Sequence, residues 1–218
     1  MKECYFTLEN VHRRAEQFWR EVTTPGTPLK FTFCFPSAAL LVLDMQNYFL
    51  QPDSHAFIPS APAIIPAAQA LMEAFHRYRR PVLFTRHLNT PQNAGLMASW
   101  WCDLIERENP LSEITCELNT SLGTVLEKTR YDAFYKTSLE TWLLEQKISQ
   151  VVMVGVMTHL CYETTARSAF VRGFQVFLPV DGTATYNEQF HLNSLKALAH
   201  GFAIPVMTEK VLMEINNA

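Results

Sequence analysis

From Ala38 onward, short apolar runs alternate with longer segments whose apolar positions recur every three or four residues. The runs Ala39 to Asp44, Val82 to Thr85, Val125 to Lys128, Val151 to Gly155, Phe174 to Leu178 and Pro205 to Met207 are strand-length and mostly β-branched or aliphatic. Between them the spacing predicts four helices. Pro62 to Arg80 is closed off by Pro81, and Ser138 to Gln146 has Ser138 as N-cap and Glu140 in the first turn. Thr164 to Arg172 is ended by Gly173, and Glu188 to His200 by Gly201. Alternation of this kind implies an α/β fold, with a mostly parallel sheet, helices on both faces and right-handed crossovers. The stretch from Arg86 to about Ser121 fits neither period and contains Trp100, Trp101 and Pro110. A loop that long inside a compact domain is expected to have a function, and we read it as a pocket wall or lid. Ahead of the first strand, Leu8 to Val22 reads as a helix. Its turn-rich exit, Thr23 to Pro28, leads into the apolar Phe31 to Phe35. Residues 1–36 are therefore expected to form an arm on a domain spanning 37–218, packed on that domain or on a neighbouring subunit.

Composition narrows the function. At 218 residues the chain suits one domain with a good core. A net charge of −3 and no basic run give no case for nucleic acid. No apolar stretch approaches the roughly 20 residues of a membrane helix. The start, Met1-Lys2-Glu3-Cys4-Tyr5, lacks the apolar core of a secretory signal, so a cytoplasmic setting is expected. The five cysteines are scattered and show no CxxC pair. Neither a disulfide framework nor a metal or other cofactor is expected, and Cys4, Cys34, Cys102 and Cys116 read as incidental thiols.

Cys161 stands apart. It follows the run Val151-Val152-Met153-Val154-Gly155 and precedes a helix, so its thiol lies where a strand turns into a helix, near the positive end of the helix dipole. That placement predicts a lowered thiol pKa and a nucleophile. Two other strands end in a charged residue, Asp44 and Lys128. Sites in open α/β sheets form at the carboxyl ends of strands, so the three residues are expected to share one site. Asp44 would take the thiol proton and Lys128 would steady the thiolate. Backbone N–H groups around Val156 to Cys161 would hold the oxyanion. Read singly, each residue also has an ordinary structural reading as a core thiol, a cap or a surface ion; the conjunction carries the argument.

Asp44-Met45-Gln46-Asn47, Lys128-Thr129-Arg130-Tyr131-Asp132-Ala133-Phe134 and Gly155-Val156-Met157-Thr158-His159-Leu160-Cys161 resemble, in order and spacing, the three motifs of the isochorismatase-like cysteine hydrolases. The resemblance runs from about residue 38 to the C-terminus. It implies a Rossmann-like, three-layer α/β/α sandwich on a six-stranded parallel sheet of order 3-2-1-4-5-6. It further implies a catalytic Asp–Lys–Cys triad at Asp44, Lys128 and Cys161, a cis peptide at Val156–Met157, a small-molecule substrate and a homo-oligomer, dimer or higher. True isochorismatases usually carry a small residue where Cys161 stands, so a vinyl-ether substrate is disfavoured. Nicotinamidases carry a metal-binding Asp-x-His after the second strand; the matching stretch here, Thr85-Arg86-His87-Leu88-Asn89, lacks that pair, which disfavours nicotinamide. Small amides, carbamoyl compounds and ureides remain, with vinyl-ether hydrolysis or a catalytically idle binding protein as alternatives. Candidates for the pocket are Phe49, Arg86, His87, Trp100, Trp101, Tyr131, Phe134, Tyr135 and His159. Of these, Arg86 is the better carboxylate clamp, through its bidentate fork.

Overall fold

The computed structural model describes residues 1–23 and 31–217, so most of the turn-rich exit of the arm, residues 24–28, lies outside the described residues. In chain order the helices are α1 (Val11–Val22), α2 (Asn47–Leu50), α3 (Ile65–Arg77), α4 (Met97–Trp100), α5 (Leu139–Glu145), α6 (Glu163–Val171), α7 (Glu188–Gly201) and α8 (Thr208–Asn216). The strands are β1 (Ala38–Leu43), β2 (Val82–His87), β3 (Thr124–Lys128), β4 (Gln150–Val156), β5 (Gln175–Pro179), β6 (Thr183–Ala184) and β7 (Ala203–Val206). All pairings are parallel, in the order β3-β2-β1-β4-β5-β7, with β6 paired to β4. The sheet therefore has seven strands where the sequence pattern predicts six. The extra strand is two residues long, too short to leave a periodic signature. It extends the pairing of β4 at Gly155 and Val156 after β5 has diverged.

Every residue of β1 and β4 is buried, as expected of central strands covered on both faces. Right-handed crossovers place α3 on one face and α5, α6 and α7 on the other. The contacts agree, with α3 against β1, β2 and α8, and α6 against β5 and α7. Pro62 and Pro66 turn the start of the predicted long helix into a 3₁₀ turn at Ala61–Ile64. The helix ends at Arg77, and Arg79 then adopts φ 56° ahead of Pro81. The sequence pattern does not show α8. Its first turn is held from far away, by the Asp181 carboxylate accepting from Thr208 N at 2.9 Å and Thr208 Oγ1 at 2.8 Å.

Residues 1–23 pack on the α/β core. α1 packs against α7, and the Trp19 indole donates to Pro205 O at 3.0 Å. Ahead of α1, Tyr5 and Phe6 join Phe18 around the His191 ring, with centroid separations of 5.2, 5.3 and 5.4 Å. Burial in this aromatic nest pushes His191 down to about 3, while its Nδ1 lies 3.1 Å from Thr158 Oγ1. An unfolded chain takes that proton near 6.5, so below pH 6.5 the unfolded state holds one proton more and stability falls with pH. We expect His191→Phe to flatten the fall in unfolding free energy between pH 6 and 4.5 by about one proton, or ~1.36 kcal/mol per pH unit. Urea titrations across that range check this; an unchanged slope would contradict it.

Candidate active site

The sheet order reverses direction between β1 and β4, from which β2–β3 and β5–β7 run to opposite edges. Ligand-binding crevices open at such switch points. Leu43 pairs with Gly155 there. Gly155 has φ 120°, and a Cβ would meet Leu43 O at 2.1 Å, so only glycine lets the two strand ends approach so closely. Asp44 follows in the left-handed region at φ 51°. Its backbone N–H donates to Thr85 Oγ1 at 3.0 Å, and that hydroxyl donates to Asp44 Oδ1 at 2.6 Å. Lys128 ends the edge strand β3, beside His87 at the end of β2. Cys161 lies in a π-helical turn, Thr158–Tyr162, that feeds α6, directly after the cis peptide Val156–Met157.

Three buried side chains converge here. Lys128 Nζ lies 2.7 Å from Asp44 Oδ2 and donates to Cys161 Sγ at 3.4 Å. It also donates to Arg130 O at 2.9 Å and lies 3.2 Å from His87 Nδ1. An ammonium only donates, so Nδ1 accepts and His87 Nε2–H donates to Asn89 Oδ1 at 2.8 Å. Asn89 in turn donates to Thr129 O at 3.1 Å. His87 is thus a neutral spacer behind Lys128, pushed down to about 4 by burial and by the Lys128 charge.

Burial raises the Asp44 carboxyl, but the charge of Lys128, with hydrogen bonds from Cys161 and Lys128, outweighs it and holds Asp44 below its ordinary value. Burial lowers Lys128, and Asp44 and Cys161 outweigh that and raise it. The Cys161 thiol is pushed up, first by burial and then by the Asp44 charge, against the pull of Lys128. This corrects the expectation from the helix terminus: in a dry site beside a carboxylate, a partial dipole does not make a standing thiolate. The resting set is carboxylate, ammonium and thiol. Brief iodoacetamide treatment without substrate should therefore label the exposed Cys4, Cys34, Cys102 and Cys116 before Cys161. Peptide mapping reads the order, and Cys161 reacting first would contradict it.

Cys161 opens into a narrow cavity of about 70 Å³, enough for on the order of five water-sized positions. Phe49, His87, Trp101, Tyr131 and Met157 line it, with the Trp101 indole donating to Tyr131 Oη at 2.7 Å. The other sequence candidates lie elsewhere. Arg86 turns away from the cavity and pins the loop at Ser112 and the Glu113 carboxylate, with bonds of 2.7 and 2.6 Å from Nη2. Trp100 is exposed and, with Tyr135, borders an outer groove. Phe134 stacks on Phe174 in the core beneath Arg172. His159 binds Thr185 Oγ1 at 2.5 Å and stacks on Phe190 at 4.6 Å.

A family model described as the isochorismatase domain matches residues 38–210. The chain belongs to the isochorismatase family. It is a hydrolase of that family, 40% identical over 180 residues to Nicotinamidase 3 of Arabidopsis thaliana, covering 80% of this chain and 86% of that protein. Enterobactin synthase component B of Escherichia coli K12 is 30% identical over 191 residues, covering 86% of this chain and 67% of that one. In fold, this isochorismatase-family chain matches a cysteine hydrolase from Pseudomonas syringae pv. phaseolicola 1448A at TM-score 0.83 and 23% identity, over 88% of this chain and 99% of that one.

Sequence reasoning missed Thr85, the hydroxyl that fixes Asp44, and several residues of the cavity wall: Tyr48, His55, Asn89, Asp103 and Tyr186. Thr85 was legible in principle as a polar residue near the end of an apolar strand. The wall residues come from the connection between β1 and α3, the residues just after β2, the segment after α4 and the entry to α7. No local pattern in those segments shows that they meet. Among the described residues no helix is long and apolar enough to cross a membrane.

Proposed function

We propose that this family member is an amidohydrolase for small carboxamides, with Cys161 as nucleophile, Asp44 as proton shuttle and Lys128 as the charge that holds both in place. The observation that carries the reading is the convergence of three buried side chains, Lys128 Nζ being 2.7 Å from Asp44 Oδ2 and 3.4 Å from Cys161 Sγ, at the floor of an aromatic-lined cavity. Because the thiol is protonated at rest, attack and proton transfer are coupled. Sγ bonds to the carbonyl carbon as its proton passes to Asp44, and the carbonyl π electrons move to oxygen. Backbone amides at Met157 and Cys161 carry the oxyanion. Asp44 returns the proton to the departing nitrogen as the C–N bond breaks and ammonia or an amine leaves. Water then adds to the thioester, giving a proton to Asp44, and collapse releases the acid and restores the thiol.

The missing Asp-x-His pair argued against nicotinamide; the 40% identity to a protein named Nicotinamidase 3 returns that planar aromatic carboxamide to the head of the substrate panel. The narrow, aromatic-walled cavity suits a flat ring. Ammonia release from nicotinamide, simple amides, ureides and N-carbamoyl amino acids tests the reading. Turnover of at least one of these, dependent on Cys161, is expected. Hydrolysis of a vinyl ether alone, surviving Cys161→Ala, would contradict it.

A further inference from the structure

At the mouth of the cavity, away from the triad, three side chains of different donor chemistry meet. His55 comes from the loop after β1, and Cys102 and Asp103 follow α4. His55 Nε2 lies 3.3 Å from Asp103 Oδ1 and 3.1 Å from Cys102 Sγ. Cys102 Sγ lies 3.9 Å from Asp103 Oδ1. We propose that His55, Cys102 and Asp103 form a binding site for one divalent transition-metal ion of the zinc class.

Four observations support it. Ligand atoms at ordinary zinc–nitrogen, zinc–sulfur and zinc–oxygen distances around a tetrahedral ion stand roughly 3.3–3.7 Å apart, and the three separations here bracket that range. A thiolate, an imidazole and a carboxylate together suit a borderline-soft ion and not magnesium or calcium, which take oxygen ligands. The Tyr48 hydroxyl donates to the ligating Asp103 oxygen and so orients the carboxylate, the kind of outer support metal ligands carry. His55 and Asp103 both line the cavity, which leaves the fourth position open on that side.

The second triple of donors, Asp44, His87 and Cys161, is as compact but takes no such ion. The Lys128 ammonium already stands 2.7, 3.2 and 3.4 Å from its three members, and a dication would have to displace that charge. A metal at the mouth clamps the loop after β1 to the segment after α4, the two walls that sequence alone did not join. Cys102, an incidental thiol by spacing, becomes a ligand only through that tertiary approach.

The test needs no substrate, so it stands or falls apart from the amidohydrolase reading. Cobalt(II) is added to metal-stripped full-length protein, and the thiolate-to-cobalt charge-transfer band in the near ultraviolet is followed. One equivalent should bind, be displaced by zinc(II), and raise the melting temperature. Cys102→Ser should abolish the band, His55→Ala and Asp103→Asn should each weaken binding at least ~10-fold, and Tyr48→Phe about 10-fold. Cys161→Ala should leave the band at full strength. The His55 and Asp103 side chains are 48% and 47% exposed, so their variants are expected to fold, which circular dichroism checks. No band in the wild type at saturating cobalt, or a band that survives Cys102→Ser, would overturn the proposal.

Discussion

Cys161→Ala should lower turnover by on the order of 10⁴- to 10⁶-fold while leaving the protein folded. In the proposed mechanism the thiol, which lines the cavity, is the group that bonds to the substrate carbon, and Asp44 and Lys128 act through it. Removing it takes one small buried group from a site held by other bonds. The Asp44–Lys128 pair, the Thr85 bond to Asp44 and the His87–Asn89 chain all remain. The stability cost is therefore about 1 kcal/mol. Steady-state kinetics and urea unfolding on the same preparation separate the two quantities. A variant that loses activity only in proportion to lost fold would point to a structural thiol.

Lys128→Met should be costly in both quantities. Both partners of the pair have no exposed side-chain surface, so the substitution leaves a carboxylate without its counter-charge in a dry site. Breaking a buried pair from one side typically costs 3–5 kcal/mol, because the remaining ion is neither solvated nor neutralised. Asp44 would then escape by taking up a proton, since the Lys128 charge is the first of the influences that hold its carboxyl down against burial. A protonated Asp44 cannot receive the thiol proton, so activity falls with stability. Adding Asp44→Asn to Lys128→Met should recover part of the lost stability and none of the activity. Urea unfolding of the two single variants and the double closes the cycle, and strictly additive losses would show that the two residues are not coupled.

Much of this was written locally. The central strands β1, β2 and β4 were visible as apolar runs, because a parallel strand buried on both faces needs no alternation. Asp44, Lys128 and Cys161 were visible together, because all three stand at or just past the carboxyl ends of such runs, where sites in open parallel sheets form. What was not visible depends on approach across the fold. β6 exists only because it extends β4 at Gly155. α8 begins where Asp181 caps it. Arg86 occupies a strand end like the triad residues, yet its side chain goes to Ser112 and Glu113 and not to the cavity. The direction of the thiol shift failed for a related reason: the helix terminus is a local feature, but burial and the Asp44 charge are tertiary ones and they dominate.

The most direct test of the account is intact-mass spectrometry of the enzyme quenched in acid during turnover of an amide substrate, with the modified peptide mapped. The mechanism predicts a species heavier by the acyl group of the substrate, carried on Cys161, absent in Cys161→Ala and decaying when the substrate is exhausted. Full turnover with no adduct at any quench time, by an enzyme whose activity survives Cys161→Ala, would contradict covalent catalysis at this site.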